Sequence, residues 1–450
     1  VFCSLRRTGS RGLEILALLL TTVGFAVTAA YDSHSLYKQL AAVVLGMGLY
    51  LLMNRVLQSL PLALKLRWPL AAAASALLAF NVLFGQRIFG AKNWIAIGPI
   101  TFQPSELVKI VFILAGAATL DRLFAKRNLI FTILFSAYCV GCLALMSDFG
   151  TALIFFVAFL CIAFLRTGDL PSIVMITAAA GFAGGIVLRF KPYVLARFAV
   201  WRHAWEYAQE EGYQQTRTMS AIASGGLFGK GTGDASFLKN IGAANTDLVF
   251  GVISEEFGLI LALCTIVMLL VLVFYAARCA STARSSYYVI AANSAVAMLV
   301  FQATLNVLGA VDILPLTGVT FPFVSMGGSS MISCWGLLAF IKAADTRPNA
   351  SFTLQLPKRI RGWIPPDSDR MYGGYSDWND YDDDYDDYDG YDDYDAYDDR
   401  SDDDGYGYDD GGLARDPGNW DDLIDGPLWP EDEPPKRRTT GRTGGRRESR

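Results

Sequence analysis

The stretch "NTDLVFGVISEEFGLILALCTIVMLLVLVF", Asn245–Phe274, decides how the rest of the chain is read. Its second half is uniformly apolar and long enough to cross hydrocarbon. Its first half carries Asp247, Glu255 and Glu256. A charge in hydrocarbon is costly, so such residues face a cavity or a partner. Read as one helix, the stretch puts Asp247, Gly251, Ser254, Glu255 and Gly258 on one small, polar face, with Glu256 nearly opposite. Asp247 can be a first-turn carboxylate that complements the helix dipole, or a working group at the outer rim. Glu255 lies about 12 Å further along the axis, where a cavity lining or a buried partner is expected.

Further apolar runs extend on both sides, giving ten expected spans near 13–30, 36–53, 69–84, 104–120, 129–146, 151–165, 172–190, 248–275, 287–309 and 323–341. The expectation is an all-α polytopic membrane protein of ten transmembrane helices. Residues 1–12 precede a membrane domain at 13–345, and a long extracytoplasmic loop, 191–246, joins helices seven and eight. Composition divides the chain at about residue 350. The first 350 residues hold 25 Lys+Arg against 15 Asp+Glu, and the remainder 13 against 28, so the net charge of −5 describes neither part. The segment 346–450, with "YDDYDGYDDYDAYDD" and a basic end, has almost no aliphatic residues and is expected to be disordered. It is either a docking tail for a cytosolic partner or a solubilising linker.

Short loops rich in Arg and Lys mark the cytoplasmic side. Arg6, Arg7, Arg11, Arg55, Lys65, Arg67, Arg122, Lys126, Arg127, Arg166, Arg278, Arg284 and the Lys342–Arg361 cluster share one side, against Lys38, Arg87 and Lys92 on the other. Both termini are therefore expected in the cytoplasm. The first run could be a cleaved leader, but its length favours a retained helix, and Val1 reads as a non-ATG start. Most of the seven cysteines lie in apolar runs, so neither a disulfide nor a metal role is expected of them.

The polar constellations gather on the opposite side. In "RIFGAKNWIAIGPITFQPSELVKI", Arg87–Ile110, Gln103 and Pro104 signal a helix start. Glu106 and Lys109 share a face and form either a self-satisfied pair or part of a site. Arg87, Lys92 and Trp94 suggest an anion site with an aromatic platform, or an interfacial anchor. "GYQQTRTMSAIASGGLFGKGTG", Gly212–Gly233, holds Gln214, Arg217 and a glycine cluster that can cradle phosphate or merely turn, without Walker A spacing. "LPLTGVTFPFVSMGGSS", Leu314–Ser330, brings Ser329 and Ser330 to the start of the last run.

These segments resemble the SEDS family, the FtsW, RodA and SpoVE proteins of bacterial wall synthesis. "GAKNWIAIGPITFQPSELVK" resembles its G-x-(K/R)-x-W-I…QPSE-x-x-K. "SDFGTAL", Ser147–Leu153, resembles PDLGTAL, and "NTDLVFGVISEEFG" resembles HTDFIFA-x-x-EE-x-G. The segments 212–231 and 314–330 resemble GYQ…AI-x-SGGL-x-GxG and LPxTGxxLPFxSYGGSS. Asn245 stands where histidine is common, Met326 where tyrosine is, and Met146-Ser147 where Gln-Pro is.

The resemblance implies a peptidoglycan glycosyltransferase that polymerises lipid II, with inversion, into β-1,4 glycan and releases undecaprenyl pyrophosphate. Its essential acid maps onto Asp247 as general base. Arg87, Lys92, Arg197 and Arg217 are candidates to hold the pyrophosphate. Trp94, Gln103, Glu106, Lys109, Gln214, Glu255, Ser329 and Ser330 complete the expected substrate contacts. No resident metal is required, although a divalent cation, Mg or Mn, is allowed at the pyrophosphate. The implied partners are lipid II, the nascent glycan, membrane lipids, a class B penicillin-binding transpeptidase and proteins of the divisome or elongasome; nucleic acid is not among them. The alternative is a lipid II flippase, with Glu106, Lys109 and Glu255 as path residues. Against it, no inverted repeat is visible.

Overall fold

The computed structural model describes residues 12–345, apart from 89–90, 98–99, 119–125, 190–191, 233–235, 240, 243 and 284. The expected tail 346–450, and all but the last residue of the N-terminal segment 1–12, lie outside the described residues. The first helices are α1 (Gly12–Tyr31), α2 (Leu36–Leu57) and α3 (Leu60–Phe84). After a sheet come α4 (Pro104–Ala117), α5 (Lys126–Leu145), α6 (Phe149–Thr167) and α7 (Leu170–Arg189). Then follow α8 (Pro192–Val200), α9 (Tyr213–Gly225), α10 (Val249–Glu256), α11 (Leu259–Thr282), α12 (Ser286–Ala310) and α13 (Gly328–Ala343). Local chemistry sets several ends. Prolines open α3 and α4 within the first turn, where a missing N–H costs nothing. The Asp148 side chain accepts from Thr151 N to cap α6, which stops at Gly168 with φ 65°.

Among the described residues, six helices are long and apolar enough to cross a membrane, with three shorter apolar helices beside them. Helices α1, α2, α3, α5, α7 and α11 expose leucine, valine, methionine and phenylalanine on their outer faces, as lipid-facing helices do. At the centre lies α4, buried along most of its length and packed against α3, α6, α12 and α13.

Two expectations are corrected. The loop before α4 is not irregular: it folds as an antiparallel sheet of β1 (Gln86–Ile88), β2 (Ala91–Ile97) and β3 (Ile100–Phe102), in that order. The chain is therefore mostly helical rather than all-α. Nor is the eighth apolar run one helix. Gly258, at φ 91°, breaks it between α10 and α11. The main chain of the glycine-rich loop packs into that break: Lys230 N and Gly231 N donate to Glu255 O and Glu256 O, and Leu259 N donates to Gly226 O. At Gly229 and Gly258 no β-carbon fits, since each would stand 2.3 Å from the opposing carbonyl oxygen. These glycines serve close backbone approach.

The region 191–246, expected as a long loop, carries α8 and α9. The two helices hang on the end of α12, and that attachment shapes the site.

Candidate functional site

A cavity of about 650 Å³ opens between β2, α4, the start of α6, α8, the turn before α10 and the segment after α12. Its polar surface is built in three layers. At the start of α6, Asp148 accepts from Asn93 Nδ2 at 2.6 Å, Gln103 Nε2 at 3.2 Å and its capping amide, Thr151 N, at 3.2 Å. Asp148 thus joins β2, the lead-in to α4 and its own helix.

A second layer rises from α4. Lys109 Nζ donates to Glu106 Oε1 and to Gln302 Oε1, each at 2.8 Å. Gln302 Nε2 donates to Thr320 O and Oγ1, and Thr320 Oγ1 lies 2.6 Å from Ser330 Oγ. Two buried charges neutralise each other, and a hydrogen-bond chain satisfies the amide beyond them. The second carboxylate oxygen of Glu106 has no partner.

The third layer is Asp247. The cap position of α10 is Leu248, with no side-chain capping bond, so Asp247 is not the helix cap that its position allows. The turn around it is pinned instead. Asn306 Nδ2 donates to Asp247 O and Val319 O, while Ser325 Oγ donates to Thr246 O. Across the cavity, Arg197 on α8 donates to Leu316 O at 2.8 Å. A β-carbon on Gly318, which has φ 70°, would stand 3.3 Å from Asp247 Oδ2 and 3.8 Å from an Arg197 guanidinium nitrogen. Burial pushes the Asp247 carboxyl up to about 7. Thr246 and Arg197 pull it down, and Asp148 pushes it up. A carboxyl poised there can accept a proton near neutrality.

Of the expected site residues, Trp94, Gln103, Glu106, Lys109, Arg197 and Asp247 line this one cavity. Seven lie elsewhere, each for a physical reason. Arg87 is exposed on β1. Lys92 donates to Val82 O and Leu83 O, the open carbonyls that end α3. Arg217 stacks over the Tyr213 ring, and Gln214 shares their helix away from the cavity. Ser329 and Ser330 are buried in α13, with Ser330 reaching the cavity only through Thr320. Glu255 is fully buried because the break at Gly258 turns it toward the glycine loop: it accepts from Ser236 N and Phe237 N, with Lys230 Nζ at 3.8 Å.

Sequence reasoning missed Asn93, Asp148, Trp201, Gln302 and Thr320 as site residues. For Asp148 a signal exists: an aspartate just before "FGTAL" is a helix-start signature. Among the described residues no three His, Cys, Asp or Glu side chains cluster as metal ligands, and Asp148 is occupied by three donors. The donor set does not fit a resident cation.

Two departures noted in the sequence meet in space. Asn245 Nδ2 approaches Met326 Sδ at 3.3 Å, and Met326 N donates to Asn245 O.

A family model described as a cell cycle protein, covering FtsW, RodA and SpoVE, matches residues 13–349. A probable peptidoglycan glycosyltransferase FtsW of Pseudoalteromonas translucida is 29% identical over 335 residues, spanning 70% of this chain and 84% of the relative. The Bacillus subtilis protein of the same description is 29% identical over 328 residues, spanning 68% and 79%. Among solved structures, a chain of a peptidoglycan synthase complex that coordinates polymerization and crosslinking is similar at TM-score 0.61 and 28% identity, covering 74% of this chain and 96% of that one. Thermus thermophilus rod shape determining protein RodA gives TM-score 0.54 and 26% identity, with 74% and 95% covered.

Proposed function

Since this chain belongs to the FtsW, RodA and SpoVE family of cell cycle proteins, we propose that it is a peptidoglycan glycosyltransferase polymerising lipid II in cell wall synthesis. The observation that carries the mechanism is Asp247, half-buried on the cavity wall with its carboxyl poised near 7 beside Arg197.

The acceptor sugar places its 4-hydroxyl against Asp247. The carboxylate takes the proton as the oxygen bonds to the donor's anomeric carbon and the bond to pyrophosphate breaks. Undecaprenyl pyrophosphate leaves with the electron pair. Arg197 is the expected cation that receives its charge, since the other arginine and lysine candidates lie outside the cavity. Lys109 is held by Glu106 and Gln302 and keeps the inner wall polar. That engagement supports a fixed lining rather than a flippase path. Attack from the face opposite the leaving group gives inversion.

A multi-pass protein with both termini in the cytoplasm and ten membrane helices would open this cavity to the outer leaflet, where lipid II is presented. A class B penicillin-binding transpeptidase is the partner we propose, as its product needs crosslinking. The test is polymer formation from purified full-length protein and lipid II, resolved by gel. Ladders from the wild type, lost in Asp247→Asn, are expected; no polymer from a folded wild type, alone or with a transpeptidase, overturns the reading.

A further inference from the structure

The corner after α8 is fastened to the end of α12 by contacts that the transfer itself does not use. Asp312 Oδ1 accepts from Arg202 N at 3.1 Å and from Gln215 Nε2 at 3.0 Å. Gln215 Nε2 also reaches Gly309 O, and Trp201 Nε1 donates to Ile313 O at 2.9 Å. Arg197, one turn earlier on α8, donates to Leu316 O. Both corner residues, Arg202 and Asp312, have positive φ, 65° and 60°. Such conformations persist only where surrounding contacts hold them. The two fastened segments are also opposing walls of the cavity: Arg197 and Trp201 on one side, Leu314–Thr320 on the other.

We propose that Asp312 is a positioning residue for the glycosyl transfer: its carboxylate joins the α8 corner and α9 to the segment after α12, and so seats Arg197 beside Asp247. This rests on the reading of Asp247 as base. Without the joint, the Trp201 and Arg197 contacts to main-chain carbonyls hold the α8 end less firmly to α12, and the guanidinium drifts. A drift of about 1 Å at a reacting centre costs on the order of a hundredfold in rate.

The charged groups facing the cavity are Arg197 from α8, Asp148 from the start of α6, and Glu106 and Lys109 from α4. Only Arg197 is tied to the joint, and it lowers the proton affinity of Asp247. Its drift therefore moves the acid limb of the rate–pH profile to higher pH.

The test compares Asp312→Gly with Asp312→Asn in the purified full chain. Glycine adopts the positive φ freely, so the first variant removes the carboxylate without straining the turn. Asparagine keeps an acceptor oxygen and tolerates the same backbone region. Expected for Asp312→Gly are a loss of about tenfold to a hundredfold in kcat/KM on lipid II, an acid limb shifted upward, and faster hydrogen exchange over residues 198–204. Asp312→Asn restores all three. Wild-type rate and profile in Asp312→Gly, or a rate loss with an unmoved acid limb that asparagine does not restore, overturns the proposal. If the wild type makes no polymer, the functional reading fails and hydrogen exchange alone decides the joint: unchanged exchange over 198–204 overturns it.

Discussion

Asp148 at the start of α6 and Asp247 before α10 line the same cavity, yet the fold surrounds them differently. Asp148 receives two side-chain amides and a helix amide. Asp247 is half-buried on the cavity wall, where burial raises its proton affinity, Thr246 and Arg197 lower it and Asp148 raises it further. A carboxylate given three donors is a fixed anion that organises its neighbours. One whose burial outweighs its donors keeps its proton to higher pH and can exchange it during a reaction. The same side chain thus serves architecture in one place and chemistry in the other, and the difference lies in how far burial outweighs the donors each receives.

The comparison breaks most visibly at Asp247. Asp247→Asn should lower polymerisation by about 10²–10⁴-fold, measured on lipid II with purified protein. Its stability should separate the roles further. The folded carboxyl titrates near 7, above its ordinary value. Its neutral form therefore favours the fold at low pH, and that contribution is lost as pH rises through about 7. The permanently neutral variant should match wild type in Tm near pH 4 and exceed it at pH 8. A variant less stable than wild type at pH 8 would show that the charge helps the fold, as it does at Asp148.

Next in size is Gly318→Ala. A methyl group there presses on Asp247 Oδ2 at 3.3 Å and displaces it by a few tenths of an ångström, and the positive φ adds about 1 kcal/mol of strain. We expect about a tenfold to hundredfold loss of rate from the spoiled geometry, read by steady-state kinetics beside a melting curve. Full activity would mean that the base and the cation act independently.

The Glu106 and Lys109 pair offers a smaller effect. Glu106→Gln and Lys109→Met should each destabilise by about 1–3 kcal/mol, because each strands a buried partner. The double variant should recover part of that loss in a melting-temperature cycle. Additive losses would show that the 2.8 Å contact contributes nothing. Smallest is Asp148→Asn. Asparagine still caps a helix, but the lost charge no longer raises the proton affinity of Asp247. The acid limb of the rate–pH profile should move down by less than about one unit; an upward shift would contradict the opposing action of the two aspartates.

Much of this was legible in the sequence, and the failures have identifiable causes. Among the described residues the apolar runs are mostly helical, six of the helices being long and apolar enough to cross a membrane, because apolar length is a strong signal. The break at Gly258 escaped because one glycine barely lowers the hydropathy of a thirty-residue run. The sheet at 86–102 left a mark, with short apolar runs punctuated by "FG" and "GP", but three strands of at most seven residues are too brief to stand out between two long apolar runs. In the site, Asp247, Glu106 and Lys109 stood out because charges beside apolar runs need a reason. Gln302 and Trp201 gave no such hint: the amide reaches the site only through Lys109 and Thr320, and the indole lines the cavity only because the corner after α8 turns it there. Lys92 misled in the opposite direction. Its charge pointed to a ligand, whereas its partners are the last carbonyls of α3, which no motif displays.

The stacking of Gly229 on Gly258 also has a consequence for inheritance and for engineering. A glycine-rich surface turn is normally the first place to splice, shorten or exchange. Here each glycine's missing side chain is the space occupied by the other segment's main chain, so residues 225–231 and 255–260 form one heritable unit despite their separation in the chain. A graft that replaces either segment with one lacking its glycine should misfold locally, whereas one that keeps both glycines should not.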